Sequence, residues 1–261
     1  MKLISLNTWG GKYFDDLIVF IKKHKDTDIF CLQEIYDTKS DIKQYKTLIR
    51  ANLLAEVKNI LSDFNYYYFP TLFGYDDEAE KTDFDVSYGL AVFVSKSIKV
   101  DYRQNYFIYR TKSLRQIDKK FSNLATPLQV ISFHLNNKKI LIFNFHGTSF
   151  PADKLDTKNR LDQSKKIKEI LNYFEGAKIL VGDFNLLPQT KSIQMVEEHM
   201  RNLIREYHIE RTRSRLSPFF GKVDFQKYAD YTFVSKEIKV KSFTVPDVQV
   251  SDHLPMILEF S

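Results

Sequence analysis

Two kinds of hydrophobic pattern alternate along the chain. Short apolar runs rich in β-branched and aromatic residues predict strands, and apolar residues spaced three or four positions apart predict amphipathic helices. The predicted strands are Leu3–Leu6, Ile29–Leu32, Tyr66–Phe69, Tyr88–Val94, Leu128–Phe133, Ile140–Phe145, Ile179–Val181, Tyr231–Val234, Val240–Val245 and Met256–Phe260. The predicted helices cover residues 14–21, 41–61, 161–174 and about 190–200, and residues 76–85 form a polar surface loop. This alternation indicates an α/β fold.

The chain shows no sign of a division into smaller units. There is no internal repeat at a short fixed period, and with 8 Gly and 7 Pro there is no low-complexity linker. The 22 Phe and 15 Tyr supply much of the volume of a core. One domain spanning residues 1–261 is therefore expected.

Neither export nor membrane insertion is expected. The first residues become polar too soon for a secretory signal, and no apolar stretch approaches the roughly 18–20 residues that cross a bilayer. The single cysteine, Cys31, lies in an apolar run and is expected to be a buried thiol, which suits a reducing compartment. We therefore expect a cytoplasmic protein without a membrane span, and a monomer is the simplest state.

The positive charge of the chain bears on its partners. A net charge of +6 suits a polyanion such as nucleic acid, although an AT-rich genome would also produce a lysine-rich chain. Cations with interleaved aromatic residues gather at 103–120, and further arginines gather at 201–222; both segments are expected to be loops. Such cations can contact phosphates while aromatic rings stack on bases. An ordinary solvated surface explains the same pattern, so both interpretations stay open.

Polar residues with catalytic chemistry stand at the points where strands are predicted to end or begin. They are Asn7, Gln33, Glu34, His146, Asp183, Asn185, Ser251, Asp252 and His253. Strand ends gathered at one edge of a sheet are where α/β proteins usually build their sites. These side chains are therefore expected to lie close together.

Each of these residues also has an ordinary structural interpretation. Asn7 and Glu34 could cap a helix or shape a turn, Asp183 and Asn185 could form an Asx turn, and His146 could be a core histidine. As a set they contain carboxylates, amides and imidazoles together. That combination is what Mg²⁺-assisted hydrolysis of a phosphate ester needs, whereas turns and caps do not need all three.

Six stretches of the chain, in order, resemble the endonuclease/exonuclease/phosphatase superfamily. They are Ile4–Trp9, Leu32–Glu34, Asn144–His146, Gly182–Asn185, Ala229–Tyr231 and Ser251–His253. Members of the superfamily include pancreatic-type deoxyribonuclease, abasic-site endonucleases, tyrosyl-DNA phosphodiesterases, deadenylases, inositol-polyphosphate phosphatases and neutral sphingomyelinases. The resemblance implies a four-layer α/β/β/α sandwich, in which two packed mixed sheets are flanked by helices.

The resemblance also implies a metal site. Glu34 would be the main Mg²⁺ ligand, and Asn7 and Asp252 would be direct or water-mediated ligands. Mg²⁺ prefers oxygen ligands and keeps several waters, so few protein ligands are expected. Mn²⁺ is expected to substitute for Mg²⁺.

The remaining matched positions imply roles in hydrolysis. His253 would act on the attacking water as a general base, or bind a phosphoryl oxygen when protonated, and Asp230 would orient it. Asp183 would position or deprotonate the water, or serve the leaving group. Asn185 would donate to a phosphoryl oxygen where charge develops, and His146 would contact the phosphate from the opposite side.

Three further residues are candidates for binding the substrate. Many relatives carry an arginine just before the strand at Leu128–Phe133, and this chain does not, so Arg115 from the preceding segment is expected to take its place. Tyr88 belongs to an aromatic–glycine pair that relatives share. Arg160, with Gln163, opens the helix that follows His146, as in members that carry a histidine at that position.

The substrate is harder to predict than the reaction. His146 stands where abasic-site endonucleases usually carry tyrosine, which favours the broader group of members. A nucleic-acid phosphodiesterase is the first hypothesis, and a small-molecule or lipid-headgroup phosphoesterase is the second. The chain carries no evident membrane-inserting hairpin, which disfavours a sphingomyelinase. A binding domain without catalysis is a third hypothesis, which the complete set of polar residues disfavours.

Overall fold

Within residues 1–46, 48–110 and 124–261, which the computed structural model describes, the chain forms twelve strands and five α-helices. The strands are β1 (Lys2–Asn7), β2 (Ile29–Asp37), β3 (Phe64–Phe73), β4 (Ser87–Ser95), β5 (Val100–Tyr109), β6 (Thr126–Leu135), β7 (Lys138–His146), β8 (Ala177–Asp183), β9 (Arg201–Asn202), β10 (Asp230–Val234), β11 (Val240–Thr244) and β12 (Met256–Phe260). The helices are α1 (Phe14–Lys23), α2 (Leu53–Ile60), α3 (Lys158–Tyr173), α4 (Lys191–Glu197) and α5 (Leu203–Glu206).

The strands form two six-stranded sheets. The first sheet has the order β11-β12-β1-β2-β4-β3, and the second has the order β5-β6-β7-β8-β10-β9. Both sheets are mixed, because β1 pairs with β2 in parallel and β7 pairs with β8 in parallel while the other pairings are antiparallel.

Successive side chains of a strand point to opposite faces of its sheet, and this explains how the layers stack. In β1, Leu3 packs into the core that the two sheets share, while Ile4 and Leu6 pack with Leu17 and Leu53 from α1 and α2. In the second sheet Phe143 faces α3, where its ring contacts Phe174 at a centroid distance of 6.0 Å. Helices therefore cover the outer face of each sheet, and the predicted four-layer α/β/β/α sandwich is confirmed.

A buried polar contact joins the two sheets directly beneath the predicted site. Gln33 on β2 donates to Asn144 Oδ1 on β7 at 2.6 Å, and Asn144 donates back to the carbonyl of Leu32 at 3.2 Å. Both amides are fully buried. Gln33 therefore fixes how the sheets face each other and does not reach the site that its neighbour Glu34 enters.

The long helix predicted over residues 41–61 is wrong in its first half. Of the residues that the structure describes in this range, which exclude residue 47, only α2, Leu53–Ile60, is helical, and before it Gln44 and Arg50 form an isolated β-bridge. Leu48 adopts a positive φ of 68° and is exposed, while Ile49 is completely buried in a small cluster with Tyr36. Tertiary packing of this loop outweighs its helical spacing.

Parts of the two segments predicted as basic loops form regular elements, while residues 111–120 of the first segment lie outside the described residues. Arg103 lies in β5, an edge strand of the second sheet, and Arg201–Asn202 forms β9 ahead of α5. The edge position leaves much of β5 exposed, which removes the hydrophobic alternation that would have predicted it. In the part of the chain that the structure describes, no helix is long and apolar enough to cross a membrane.

Candidate active site

Strand pairing brings the predicted residues to one edge of the sandwich. In the first sheet Asn7 pairs with Gln33, the residue before Glu34. In the second sheet Asp183 lies beside His146 on one side and beside Asp230 on the other. The ends of four strands and an irregularity within β2 therefore converge, from both sheets.

Glu34 enters the site from an irregularity in β2. The register between β2 and β4 shifts between Leu32 and Ile35, and Glu34 has a positive φ of 58°. The hydroxyl of Thr8 donates to the carbonyls of Gln33 and Glu34, at 2.9 and 3.0 Å, and holds this bulge. A bulge that re-aims a side chain in this way is typical of functional sites.

Asp183 and Asn185 form a tight turn after β8. The backbone N–H of Asn185 donates to Asp183 Oδ1 at 2.8 Å, and Asn185 has a positive φ of 52°. Gly182 allows the strand to end here, because its φ is +136° and a Cβ would lie 2.0 Å from the carbonyl oxygen of Phe145. The Asx turn predicted as the ordinary interpretation is thus present, and it still leaves Asp183 Oδ2 facing the site.

Asn7 links the carboxylates of the two sheets. Its Nδ2 donates to Glu34 Oε1 and to Asp183 Oδ2, each at 3.0 Å. Its Oδ1, the atom that a cation would need, accepts from the backbone N–H of Trp9 at 3.0 Å. In this arrangement Asn7 orients the two carboxylates, and a metal ion would contact Asn7 through a bridging water molecule.

His146 faces the same two carboxylates from β7. Its Nε2 lies 3.7 Å from Glu34 Oε1 and 3.7 Å from Asp183 Oδ2. Tyr88 lies behind it, with its hydroxyl 3.3 Å from His146 Nδ1. Burial lowers the pKa of His146, an effect that the charge of Asp183 opposes.

His253 and Asp230 form a buried pair. His253 Nδ1 lies 2.9 and 2.8 Å from the two oxygens of Asp230, so we assign the proton to Nδ1. Nε2 then carries the lone pair, lies 3.6 Å from Asp183 Oδ2 and is contacted by the guanidinium of Arg213. Burial, reinforced by Arg213, lowers the pKa of His253 to about 4.

Among the residues that the structure describes, no lysine or arginine forms an ion pair with Glu34. Burial raises the pKa of Glu34 to about 8, and repulsion from Asp252 and Asp183 adds to the rise. Burial alone would also raise the pKa of Asp183, but facing imidazoles and cations lower it to about 2. A bound cation beside Glu34 would relieve this repulsion and favour its charged form.

The donor set fits a divalent metal. Glu34, His146 and Asp183 each offer one ligand atom, and these three atoms lie within 4.8 Å of one another. Oxygen donors dominate, which suits Mg²⁺ or Mn²⁺. Asp252 does not join this cluster, because its Oδ2 pairs with Arg213 at 2.5 Å, so its role as a ligand stays a prediction.

Two cations, Lys154 and Arg213, lie beside the site. Lys154, in the loop after β7, is only 8% exposed and donates from Nζ to Asn185 Oδ1 at 3.1 Å. Burial and repulsion from Arg213 lower its pKa to about 8. Arg213 belongs to the basic segment 201–222 and lies beside the site, where its backbone forms an isolated antiparallel β-bridge with His253. Lys154 occupies a polar loop without periodicity, so only tertiary burial distinguishes it from surface lysines.

The three candidate substrate-binding residues differ in position. Tyr88 contacts His146 and lines the adjoining cavity. Arg160 is 1% exposed and donates to the loop carbonyls of Leu155 and Pro151, both at 2.6 Å, so its guanidinium serves the loop and does not face a substrate. Arg115 lies outside the described residues.

Two spaces flank the site. A cavity of about 110 Å³ adjoins Glu34 and His146 and is lined by the rings of Tyr36 and Tyr88. A wider cleft of about 510 Å³ adjoins Asn185; its lining includes Lys154, Arg213, Phe219 and Phe225.

Comparisons with known proteins agree with the fold. The family model described as "Endonuclease/Exonuclease/phosphatase family" matches residues 4–253. A search of curated protein sequences finds no significant match.

Solved structures similar to this chain share its fold at low sequence identity. An endonuclease/exonuclease/phosphatase family protein from Leptotrichia buccalis C-1013-b is 19% identical, with a TM-score of 0.71, over 100% of this chain and 99% of that chain. A mannosyl-6-phosphatase from Bacteroides thetaiotaomicron VPI-5482 is 17% identical, with a TM-score of 0.71; the match covers 100% of this chain and 99% of that chain. The human Nocturnin catalytic domain is 18% identical, with a TM-score of 0.67; the match covers 100% of this chain and 93% of that chain.

The family match spans nearly the whole sequence, the two mixed sheets have the expected arrangement, and the motif residues converge at one edge of the sandwich. The chain therefore belongs to the endonuclease/exonuclease/phosphatase family of metal-dependent phosphoester hydrolases.

Proposed function

We propose that this chain is a Mg²⁺-dependent phosphodiesterase that acts on nucleic acid by in-line attack of water on phosphorus. The observation that carries the proposal is the convergence of a buried His253–Asp230 pair, the Asp183–Asn185 turn and Glu34 at one sheet edge. A base, an oxyanion donor and an anionic metal ligand thus surround one point.

His253 is the general base in this proposal. Asp230 holds the proton on Nδ1, so Nε2 is free to accept a proton from water. The depressed pKa keeps the ring neutral at physiological pH, which a base requires. Arg213 now contacts Nε2, and a phosphoryl oxygen would draw its guanidinium away to leave room for the water.

Asp183 and Asn185 work on either side of the attacking water. Asp183 Oδ2, 3.6 Å from His253 Nε2, orients the water toward phosphorus. Asn185 donates from Nδ2 to the phosphoryl oxygen on which charge develops. His146 donates to a phosphoryl oxygen from the Glu34 side.

Glu34 is the main metal ligand, with Asn7 and Asp252 completing the site through water. The chemistry supplied by bound Mg²⁺ is neutralisation of charge on the phosphoryl and leaving oxygens. The role of Glu34 is supported by its position beside Asp183 and His146, where one ligand atom of each residue lies within 4.8 Å of the others.

A diester fits the surroundings better than a monoester. Spaces of about 110 and 510 Å³ adjoin the site, one beside Glu34 and the other beside Asn185, so both groups of a diester can be accommodated. The wider cleft combines Lys154 and Arg213 with Phe219 and Phe225. Cations beside exposed aromatic rings suit phosphates and bases together.

A panel of substrates tests the proposal. Purified protein with Mg²⁺ or Mn²⁺ is assayed on single- and double-stranded DNA, abasic DNA, RNA, tyrosyl-linked DNA, inositol phosphates and sphingomyelin. Asp183→Ala and His253→Ala should each lose at least about 10²-fold, from the scale of acid–base and electrostatic effects. Wild-type activity that survives chelation, or full activity in both variants, would refute the mechanism.

A small-molecule or lipid-headgroup phosphoesterase is the second candidate. It is favoured by the small cavity of about 110 Å³, which has the size for one compact group, and by the similarity to a mannosyl-6-phosphatase. Salt distinguishes the candidates, because several phosphate contacts make affinity for nucleic acid fall steeply with ionic strength. A small substrate with one phosphate should show a shallow dependence.

A further inference from the structure

Lys154 is buried in the active site, and no ion pair joins it to another residue in the part of the chain that the structure describes. It lies in the loop between β7 and α3, has a positive φ of 56° and is 8% exposed. Among the residues that the structure describes, no carboxylate oxygen lies within 4.0 Å of its ammonium group, although Asp183, Asp230 and Asp252 all act on it at longer range. A lysine buried without a partner is costly, so an ordinary stabilising salt bridge does not explain it.

The loop that carries Lys154 is fastened at both ends. Arg160 donates from its guanidinium to the carbonyls of Leu155 and Pro151 and to Asp153. The carbonyl of Lys154 itself accepts from the backbone N–H of Leu187 at 3.0 Å. Arg160, predicted to bind substrate, thus contributes to the site indirectly, by fixing where Lys154 stands.

The side chain of Lys154 determines which way the amide of Asn185 points. Its Nζ donates to Asn185 Oδ1 at 3.1 Å, and Asn185 Nδ2 donates to the carbonyl of Gly147 at 3.3 Å. A 180° flip of the amide would place its NH₂ against the ammonium group, two donors face to face. The flip is therefore disfavoured, and the second N–H of Nδ2 remains available to a phosphoryl oxygen.

We propose that Lys154 is a positioning residue for phosphoester hydrolysis: it locks the amide of Asn185 so that its second N–H faces the phosphoryl group, and it strengthens that N–H as a donor. Because the amide oxygen accepts from a cation, the amide is polarised and its N–H bonds become stronger donors. The effect belongs to the transition state, where charge on the phosphoryl oxygen is greatest. The proposal rests on the proposed function for what Asn185 does.

The orientation of the amide can be measured without any substrate. In ¹⁵N-labelled protein the side-chain NH₂ signals of Asn185 are assigned by their loss in Asn185→Asp. Lys154→Met should shift this pair and speed its exchange with water, since the lock is removed. Lys158→Met, at an exposed lysine on α3 paired only with Asp162, is the matched control and should leave the pair unchanged.

Kinetics with bis(p-nitrophenyl) phosphate and an oligonucleotide test the consequence. Lys154→Met should lower kcat by roughly 10–100-fold with KM changed less than about threefold, because the lost interaction is made in the transition state. Lys154→Arg, which keeps a cationic donor, should retain more kcat than Lys154→Met. In an Asn185→Ala background, Lys154→Met should cost less than about threefold more, since the two residues act as one unit.

The outcomes separate the two proposals. If wild-type protein hydrolyses the diesters while Lys154→Met keeps full kcat, or if the Asn185 signals do not respond in Lys154→Met, the positioning role is refuted and the phosphodiesterase function stands. If wild-type protein hydrolyses none of the panel, the proposed function fails, and the Asn185 signals still decide the role of Lys154. Should Lys154→Met not fold, Lys154→Arg carries both measurements.

Discussion

Replacing Asp230 by asparagine should separate activity from stability. Both Asp230 oxygens lie within 2.9 Å of His253 Nδ1, and the side chain is 2% exposed. Asp230→Asn keeps the shape but removes the charge, and one orientation of the amide turns a donor toward Nδ1. The imidazole then carries its proton on Nε2 and cannot accept one from water, so kcat should fall about 10²–10⁴-fold, or about 3–5.5 kcal/mol in barrier height.

Folding should not suffer in the same variant. Asp230 lies directly beside Asp183 in the β8–β10 register, and their like charges repel in a buried site. Neutralising one of them relieves this repulsion, so the Tm of Asp230→Asn should equal or exceed that of wild type.

A matched control comes from a second His–Asp pair on the surface. His134 Nδ1 lies 2.7 Å from Asp101 Oδ2, with side-chain exposures of 56% and 33%. Asp101→Asn should leave kcat unchanged. The assay is steady-state diester hydrolysis with a thermal melt of each variant. An Asp230→Asn enzyme with wild-type kcat would refute the orienting role, and a lower Tm would refute the argument from repulsion.

Three further predictions concern the scaffold of the site. Gly182→Ala should destabilise the fold by about 3 kcal/mol or more in urea unfolding, because its Cβ meets the carbonyl of Phe145 at a φ of +136°; a loss below 1 kcal/mol would contradict the geometry. Gln33→Leu should cost about 1–3 kcal/mol in the same assay by leaving the buried Asn144 Oδ1 without its donor; an unchanged midpoint would show that the contact is dispensable. Cys31 is fully buried, which raises its thiol pKa, so a thiol reagent should label it only on unfolding; rapid labelling of native protein would contradict its burial.

The fold was predictable because its core strands carry strong patterns. All ten predicted strands coincide with observed ones, and Val240–Val245 overruns β11 by a single residue. Strands buried on both faces read as continuous apolar runs, whatever their partners. The ordered motifs then supplied the arrangement of the sheets, which periodicity alone does not determine.

Elements governed by distant contacts were not predictable. Residues before α2 have helical spacing, yet Ile49 packs beside Tyr36 in a loop and Arg50 donates its backbone N–H to Gly10. β5 lies at an edge and exposes half of its ten residues, so its sequence resembles a polar loop. In both cases the structure of the segment is determined by the residues it packs against and not by its own sequence pattern.

The site was predicted as a set of residues but not as a network. The sequence placed His253 with Asp230 and Asp183 with Asn185, and these contacts are present. It gave no signal for Lys154, because burial of a lysine in an irregular loop depends on where Arg160 holds that loop. It also could not tell that Arg160 serves the loop carbonyls.

Metal dependence at Glu34 tests the central claim most directly. Diester hydrolysis by wild type and Glu34→Gln is measured across a Mg²⁺ titration after treatment with EDTA. Chelation should abolish wild-type activity, Mg²⁺ should restore it, and Glu34→Gln should need at least about tenfold more Mg²⁺, since even an outer partner of a metal ligand is worth 10–100-fold. Activity of the chelated wild type, or an unchanged Mg²⁺ requirement in Glu34→Gln, would contradict a metal-assisted mechanism centred on Glu34.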